Sequence, residues 1–394
     1  MKLKGFSRFA CLFYVFFVST ASVGADPATV IEADGGYIDS HFAICPDGKS
    51  IAYLNVFTDR KADLVIGAIS PKGFKEENRV NIAGHTIMPA GMTFAPDGKH
   101  VLITWVTSPA DSDKDFSGAV FNLSGKLIQK IGPFRDYRFR VEGKKTTLIT
   151  YSERPARGSI SITVTVYGYP QIRVLAQHRL TTDQTRRLKN PNMEVLYFRD
   201  DYLKAVGRIA GRYDPEADIR LPDREAVYDL TQGKVVSETP IKEAVEWERT
   251  RRFRENHPPF EPHLYFAGAA EDMKLMLMRT DDVRVEIPLP VELARYRPES
   301  LMQRVIDRDS VLLGLTVDPQ NPVILKQRRS EPEQMHLYYV NYSGKPRVKR
   351  ISSLDSEDHN VQWRFGQGFL AVMRLHKRWG LGAKTIQIHR VQLP

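Results

Sequence analysis

One pattern of apolar and polar positions occurs twice near the start of the chain. Phe42-Ala43-Ile44-Cys45 is followed by Pro46-Asp47-Gly48-Lys49 and then by Ser50-Ile51-Ala52-Tyr53. Met92-Thr93-Phe94-Ala95 leads through Pro96-Asp97-Gly98-Lys99 into His100-Val101-Leu102-Ile103 in the same way, 50 residues later. Proline presets φ at the first turn position and glycine accepts the positive φ that a side chain resists, so each copy reads as two strands joined by a tight turn. Five weaker copies follow. Their turns fall at Val141-Glu142-Gly143-Lys144, Asp200-Asp201, Glu271-Asp272, Asp307-Arg308-Asp309 and Gly366-Gln367-Gly368. A second hairpin series runs in step with the first, at Ser70-Pro71-Lys72-Gly73 and around Gly125, Gly233 and Gly344. A fixed unit carried by two independent turn series marks a repeat architecture.

Tandem strand units cannot bury their faces alone, and closing them into a ring does so. The expectation is an all-β chain: a β-propeller of seven four-stranded antiparallel blades. The last unit leaves chain for three strands, ending in Thr385–Val391, and Ala28–Ala33 is extended in character. That N-terminal stretch is expected to supply the missing strand, so that the two ends of the chain close the ring. One segment breaks the β pattern. Residues 240–256 read as a helix inserted between the fourth and fifth blades. Thr239 would cap it, and Pro240 suits its first turn. Glu243, Glu246 and Glu248 come early and Arg249, Arg251, Arg252 and Arg254 late, complementing the helix dipole.

The two clear hairpins resemble the WD-like repeats of TolB-type periplasmic propellers. The same repeat builds the propellers of prolyl-oligopeptidase-like enzymes and of oligogalacturonate lyases. The resemblance implies the fold and leaves the activity open. The peptidase relatives carry a hydrolase domain after the propeller and TolB a small domain before it; the expectation here is a propeller with neither.

Composition adds a compartment. Lys2, Lys4 and Arg8 precede the apolar run Phe9–Val18, and Val23-Gly24-Ala25 supplies small residues before Asp26. This reads as a signal peptide over residues 1–25, leaving residues 26–394 as a single propeller domain. Of the two cysteines only Cys45 lies beyond the signal, so no intramolecular disulfide is expected. A periplasmic or secreted bacterial protein fits these features. The net charge is +10, of which Lys2, Lys4 and Arg8 contribute +3. The mild positive balance suits an acidic envelope protein or an anionic glycan. No nucleic-acid module and no second apolar stretch of spanning length are visible, so neither nucleic acid nor an integral membrane segment is expected after cleavage.

Catalytic motifs are sparse: no G-x-S-x-G elbow, Walker loop, H-E-x-x-H or C-x-x-C occurs. Asp39-Ser40-His41 and Asp358-His359-Asn360 precede the first and last innermost strands, which are neighbours in a closed ring. His41, His359 and Asn360 are therefore expected at one mouth of the channel, where imidazole could ligate a metal or move protons. The lyase relatives bind a metal at their channel, yet no further histidine cluster completes such a site here, and no cofactor is expected. Arg135, Arg138 and Arg140 flank Tyr137 and Phe139, while Arg251, Arg252 and Arg254 surround Phe253 on the helix. Guanidinium groups fit carboxylates and phosphates and stack on rings. The last three are expected to bind a partner, with a solvated basic face as the plainer alternative. The leading expectation is a non-catalytic binding or scaffold module. The alternative is a channel enzyme, a metal-assisted lyase or hydrolase acting on an acidic saccharide.

Overall fold

The two strong hairpins fold alike. Gly48 N donates to the Cys45 carbonyl at 2.8 Å and Gly98 N to that of Ala95 at 2.9 Å. Asp47 and Asp97 each accept from the backbone two residues on, Lys49 N and Lys99 N, at 2.9 Å. Gly48 and Gly98 sit at φ 74° and 66°, the left-handed region this turn requires. The structure, a computed structural model, describes residues 27–58, 61–82, 89–106, 115–143, 145–169, 171–216, 218–257, 259–268, 272–290, 296–322, 334–355, 359–376, 382–391 and 393. The expected signal peptide lies outside them.

Seven antiparallel sheets follow one another around a ring. Blade 1 comprises Tyr37–Ile44, Ser50–Thr58, Lys61–Ser70 and Gly73–Asn81. Blade 2 comprises Pro89–Phe94, His100–Val106, Phe116–Asn122 and Leu127–Phe134, and blade 3 Asp136–Glu142, Lys145–Ala156, Ser159–Gly168 and Arg173–Asp183. The main strands of blade 4 are Met193–Arg199, Lys204–Ile209, Arg224–Asp229 and Lys234–Pro240. Blade 5 shows three strands among the described residues, His263–Ala267, Lys274–Met278 and Arg284–Ile287. Blade 6 comprises Tyr296–Asp307, Ser310–Pro322, Gln334–Asn341 and Arg347–Asp355. Blade 7 takes His359–Gly366, Phe369–His376 and Thr385–Arg390 from the C-terminal part, and Thr29–Glu32 completes it. Thr29 stands opposite Ile388 and Glu32 opposite Thr385, the closure that strand counting implies. Six of the innermost hairpins turn where the repeat places them; in blade 5 the hairpin pairs Ala267 with Lys274, and Glu271 of the expected turn lies outside the described residues.

The core lies between blades. Leu54, Leu64 and Ile66 of blade 1 meet Val101, Ile103 and Phe121 of blade 2. Ile38, Phe42 and Ile51 of blade 1 meet Met373, Ile386 and Ile388 of blade 7 across the closure. Each such side chain contributes about 1.5–3 kcal/mol on burial, so these seams hold the ring.

The insertion differs from its expected bounds. The helix, α1, spans Ala244–Asn256, with Glu243 at its N-cap and no side-chain capping bond. Pro240 instead ends the outer strand of blade 4, paired with Arg224. An outer strand tolerates a residue that lacks an N–H, so Pro240 fits the ladder as well as it would a helix start. Blade 4 also carries a small hairpin, Tyr213–Asp214 with Ile219–Arg220, that the repeat does not announce. Gly382–Ala383 pairs with Ile38–Asp39 at the inner edge of blade 1. No helix among the described residues is long and apolar enough to cross a membrane.

Candidate functional site

The innermost strands surround the channel, and their register fixes which residues share a level. In blade 7 the hairpin closes on the pair Gly366 and Phe369, and Arg364 opposite Ala371 stands two pairs earlier. In blade 6 it closes on Asp307 and Ser310, and Arg304 opposite Leu312 also stands two pairs earlier, because a bulge after Val305 absorbs Ile306. Arg304 and Arg364 are therefore equivalent residues on adjacent innermost strands.

Arg364 is pinned in place. Its Nε donates to the Phe42 carbonyl at 3.1 Å and its Nη1 to the Trp363 carbonyl at 2.8 Å. The guanidinium lies 5.2 Å from the centre of the Phe42 ring. Burial, with the field of Arg304 behind it, lowers its pKa to about 10. Arg304 makes no hydrogen bond or ion pair among the described residues. Solvent reaches its side chain, yet desolvation still lowers its pKa against the opposing fields of Glu261 and Tyr137. A side chain both wetted and ringed by protein is what a channel provides. Tyr137 belongs to blade 3, across the ring from blade 6. Burial, then the charge of Asp136, pushes its phenol up to about 12, and Arg304 is among the charges that oppose this.

The other arginines described on the innermost strands are paired. Arg138 reaches Glu261 at 2.8 Å and lies 5.1 Å from the Phe260 ring centre. Arg140 meets Glu142 at 2.6 Å and Asp200 at 3.1 Å. At the start of the blade 1 innermost strand, Asp39 Oδ1 accepts from the His41 backbone at 2.7 Å and from its Nδ1 at 2.8 Å. That carboxylate holds the ring with Nε2 turned away from the bond. His359 and Asn360 begin the blade 7 innermost strand, opposite His376 and Leu375. Their side chains, and Asp358 entirely, lie outside the description, so their meeting with His41 rests on blade adjacency alone. No three metal-ligating side chains come together among the described residues.

The helix arginines divide. Arg254 is fully buried; its Nε donates to Asp282 Oδ1 at 2.6 Å and its Nη2 to the Arg279 carbonyl. It stands seven residues after Trp247, on the same face, and that face packs into the seam between blades 4 and 5. Trp247 Nε1 donates to Glu225 at 2.7 Å, and its ring packs near Leu196, Tyr197 and Val206. The expectation of three arginines presented together is corrected here: Arg254 is a strut. Arg251 binds Glu248 through two bonds of 2.8 and 2.6 Å, and Arg252 adds a third at 2.8 Å. These bonds hold the Glu248 carboxyl down at about 2. Arg252, 73% exposed, remains the outward one.

Sequence reasoning passed over Arg304 and Arg364. Aligning the last two repeats would have brought them together only once Ile306 was recognised as an extra residue. An apolar cleft of about 220 Å³ lies between blades 1 and 2, lined by Leu54, Ile103, Phe121 and Leu127, with Lys130 the one charged group among the described residues that line it.

No family model matches the chain, and no curated protein does. Solved structures match over most of it. The β-propeller domain of the trilobed protease from Pyrococcus furiosus is similar at 12% identity and a TM-score of 0.42, over 90% of this chain and 96% of that one. That domain is described as having an open velcro topology, whereas Thr29–Glu32 closes the ring here. The protein lmo1340 from Listeria monocytogenes EGD-e is similar at 10% identity and a TM-score of 0.41, over 88% and 91% of the two chains. An acylaminoacyl peptidase from Pyrococcus horikoshii is similar at 11% identity and a TM-score of 0.38, over 85% of this chain and 50% of its own. Likeness at this distance carries no functional argument; the fold rests on the blades themselves.

Proposed function

We propose that this chain is an exported, TolB-like binding propeller of the bacterial cell envelope that takes its ligand or partner segment at the central channel. The observation that carries the reading is the placement of Arg304 and Arg364 at one level on adjacent innermost strands, with the bonded Asp39–His41 pair on the innermost strand next to them. The arginines there are suited to holding a group in place. Guanidinium groups keep their charge at every physiological pH and so bind or orient rather than exchange protons. The signal-like residues 1–25 support the compartment. A second reading, a channel enzyme acting on an acidic saccharide, draws on the His41–Asp39 pair, which is arranged as an oriented general base would be.

Site-specific crosslinking separates the channel from the rim. A photoreactive residue placed at His41 is expected to capture a ligand or partner in the native envelope. The same residue at Val174, 59% exposed on the outer strand of blade 3, is expected to capture nothing specific. Capture from Val174 alone overturns the reading. Turnover of an acidic oligosaccharide that is lost in His41→Ala would favour the enzyme.

A further inference from the structure

We propose that the channel contains an oxyanion site between blades 6 and 7, in which Arg304 and Arg364 together hold a carboxylate or phosphate group of the entering ligand. This deepens the channel reading above and rests on it. The inner wall supplies the comparison. Arg138, Arg140 and Arg199 each have a carboxylate partner, Glu261, Asp200 and Asp282 respectively. Among the described side chains of the innermost strands, the two arginines without one are the two that the blade 6 bulge brings to the same level on neighbouring strands. Two like charges placed side by side in a partly desolvated channel oppose each other, and an anion between them reverses the sign.

The details suit capture of an oxyanion. Arg364 spends Nε and Nη1 on backbone carbonyls, which fixes the plane of its guanidinium over Phe42 and leaves Nη2 without a partner among the described residues. Arg304 keeps its whole fork of donors, because nothing in the described protein engages it. One rigid and one adjustable guanidinium can grip an oxyanion from two sides, with the bidentate geometry that carboxylate and phosphate share. The acid nearest in influence, Glu261, is bound to Arg138 at 2.8 Å and so leaves the space to a ligand.

The test uses the mature protein with three probes at constant ionic strength, inorganic phosphate, glucuronate and neutral glucose, followed by calorimetry and thermal unfolding. Phosphate or glucuronate is expected to bind and raise Tm, and glucose is not. Binding of phosphate alone assigns a phosphoryl ligand, and of glucuronate alone a carboxylate. Arg304→Gln with Arg364→Gln is expected to weaken the oxyanion at least tenfold. Arg304→Gln alone breaks no internal bond, so without ligand it is expected to melt at or above the wild-type temperature. The proposal is overturned if neither oxyanion binds wild type, or if the double variant binds as tightly. It is also overturned if unliganded Arg304→Gln melts several degrees lower, since Arg304 would then be a structural group. Crosslinking from His41 that persists in the double variant would keep the channel reading and remove the oxyanion site.

Discussion

Gln303 decides the protonation of His263. Its Oε1 accepts from Leu264 N at 2.6 Å, so Nε2 is the atom that faces the Pro262 carbonyl at 3.0 Å and His263 Nδ1 at 3.2 Å. Nε2 can only donate, and His263 Nδ1 must be the bare acceptor. His257 is the opposite case: its Nδ1 faces the Phe253 carbonyl at 3.1 Å and donates. The two rings lie 4.0 Å apart, with Phe253 stacked on His257. Burial first, then the charges of His257 and Arg254, lower the His263 pKa from 6.5 to about 4. The unfolded chain therefore binds more protons between those values. His263 contributes stability that is complete above about pH 6.5 and is lost as pH falls toward 4. In urea unfolding across this window, His263→Asn is expected to lose less stability on acidification than wild type; equal slopes would remove His263 from the account. Such pairings were hidden in the sequence, because Gln303 and His263 belong to different blades. Arg138 and Arg140 stood out beside Tyr137 and Phe139, whereas Arg304 and Arg364 are isolated in sequence and become a pair only through one bulge.

Helix α1 shows how an element can be legible in kind and misread in use. Its apolar and basic residues announced a helix, and the ladder partner Arg224 moved its start from Pro240 to Ala244. Its inner face, Trp247, Arg251 and Arg254, could not be told from its outer face without knowing that blades 4 and 5 flank it. Asp282 is the hub of that seam, since it binds both Arg254 and Arg199. Asp282→Asn leaves a buried guanidinium without its carboxylate, a change that costs about 3–5 kcal/mol in comparable settings. Arg252→Ser, on the exposed face, is expected to stay within about 0.5 kcal/mol of wild type. Equal unfolding midpoints for the two variants would mean that the helix is held by Trp247 and Phe253 alone. The hairpins were easier to read, because proline, aspartate and glycine act within four residues and need no distant partner.

At the scale of the whole molecule the ring had to close, and strand counting alone implied where. Seven units with three strands left for the last one require a strand from elsewhere, and the N-terminal extension was the one unassigned candidate. What counting could not give is which innermost-strand residues share a level, since a ring makes neighbours of residues far apart in sequence. Closure has a testable cost. Thr29–Glu32 covers the edge of Thr385–Arg390, and Ala28 N and Ala33 N add bonds of 2.7 and 2.8 Å to the carbonyls of Ile388 and Lys384. Ile31 is buried at the seam, 2% exposed, while Val30 beside it is 42% exposed. Removing residues 26–34 strips this cover and leaves an open edge ready to pair with another chain. The truncated protein is expected to unfold at clearly lower urea and to associate on size exclusion. Should it fail to fold, point variants carry the same test. Ile31→Ala is expected to cost about 2–4 kcal/mol. Val30→Ala, exposed on the same strand, is expected to cost within about 0.5 kcal/mol. If truncation leaves the midpoint unchanged and Ile31→Ala matches Val30→Ala, the inter-blade seams hold the ring without its N-terminal strand.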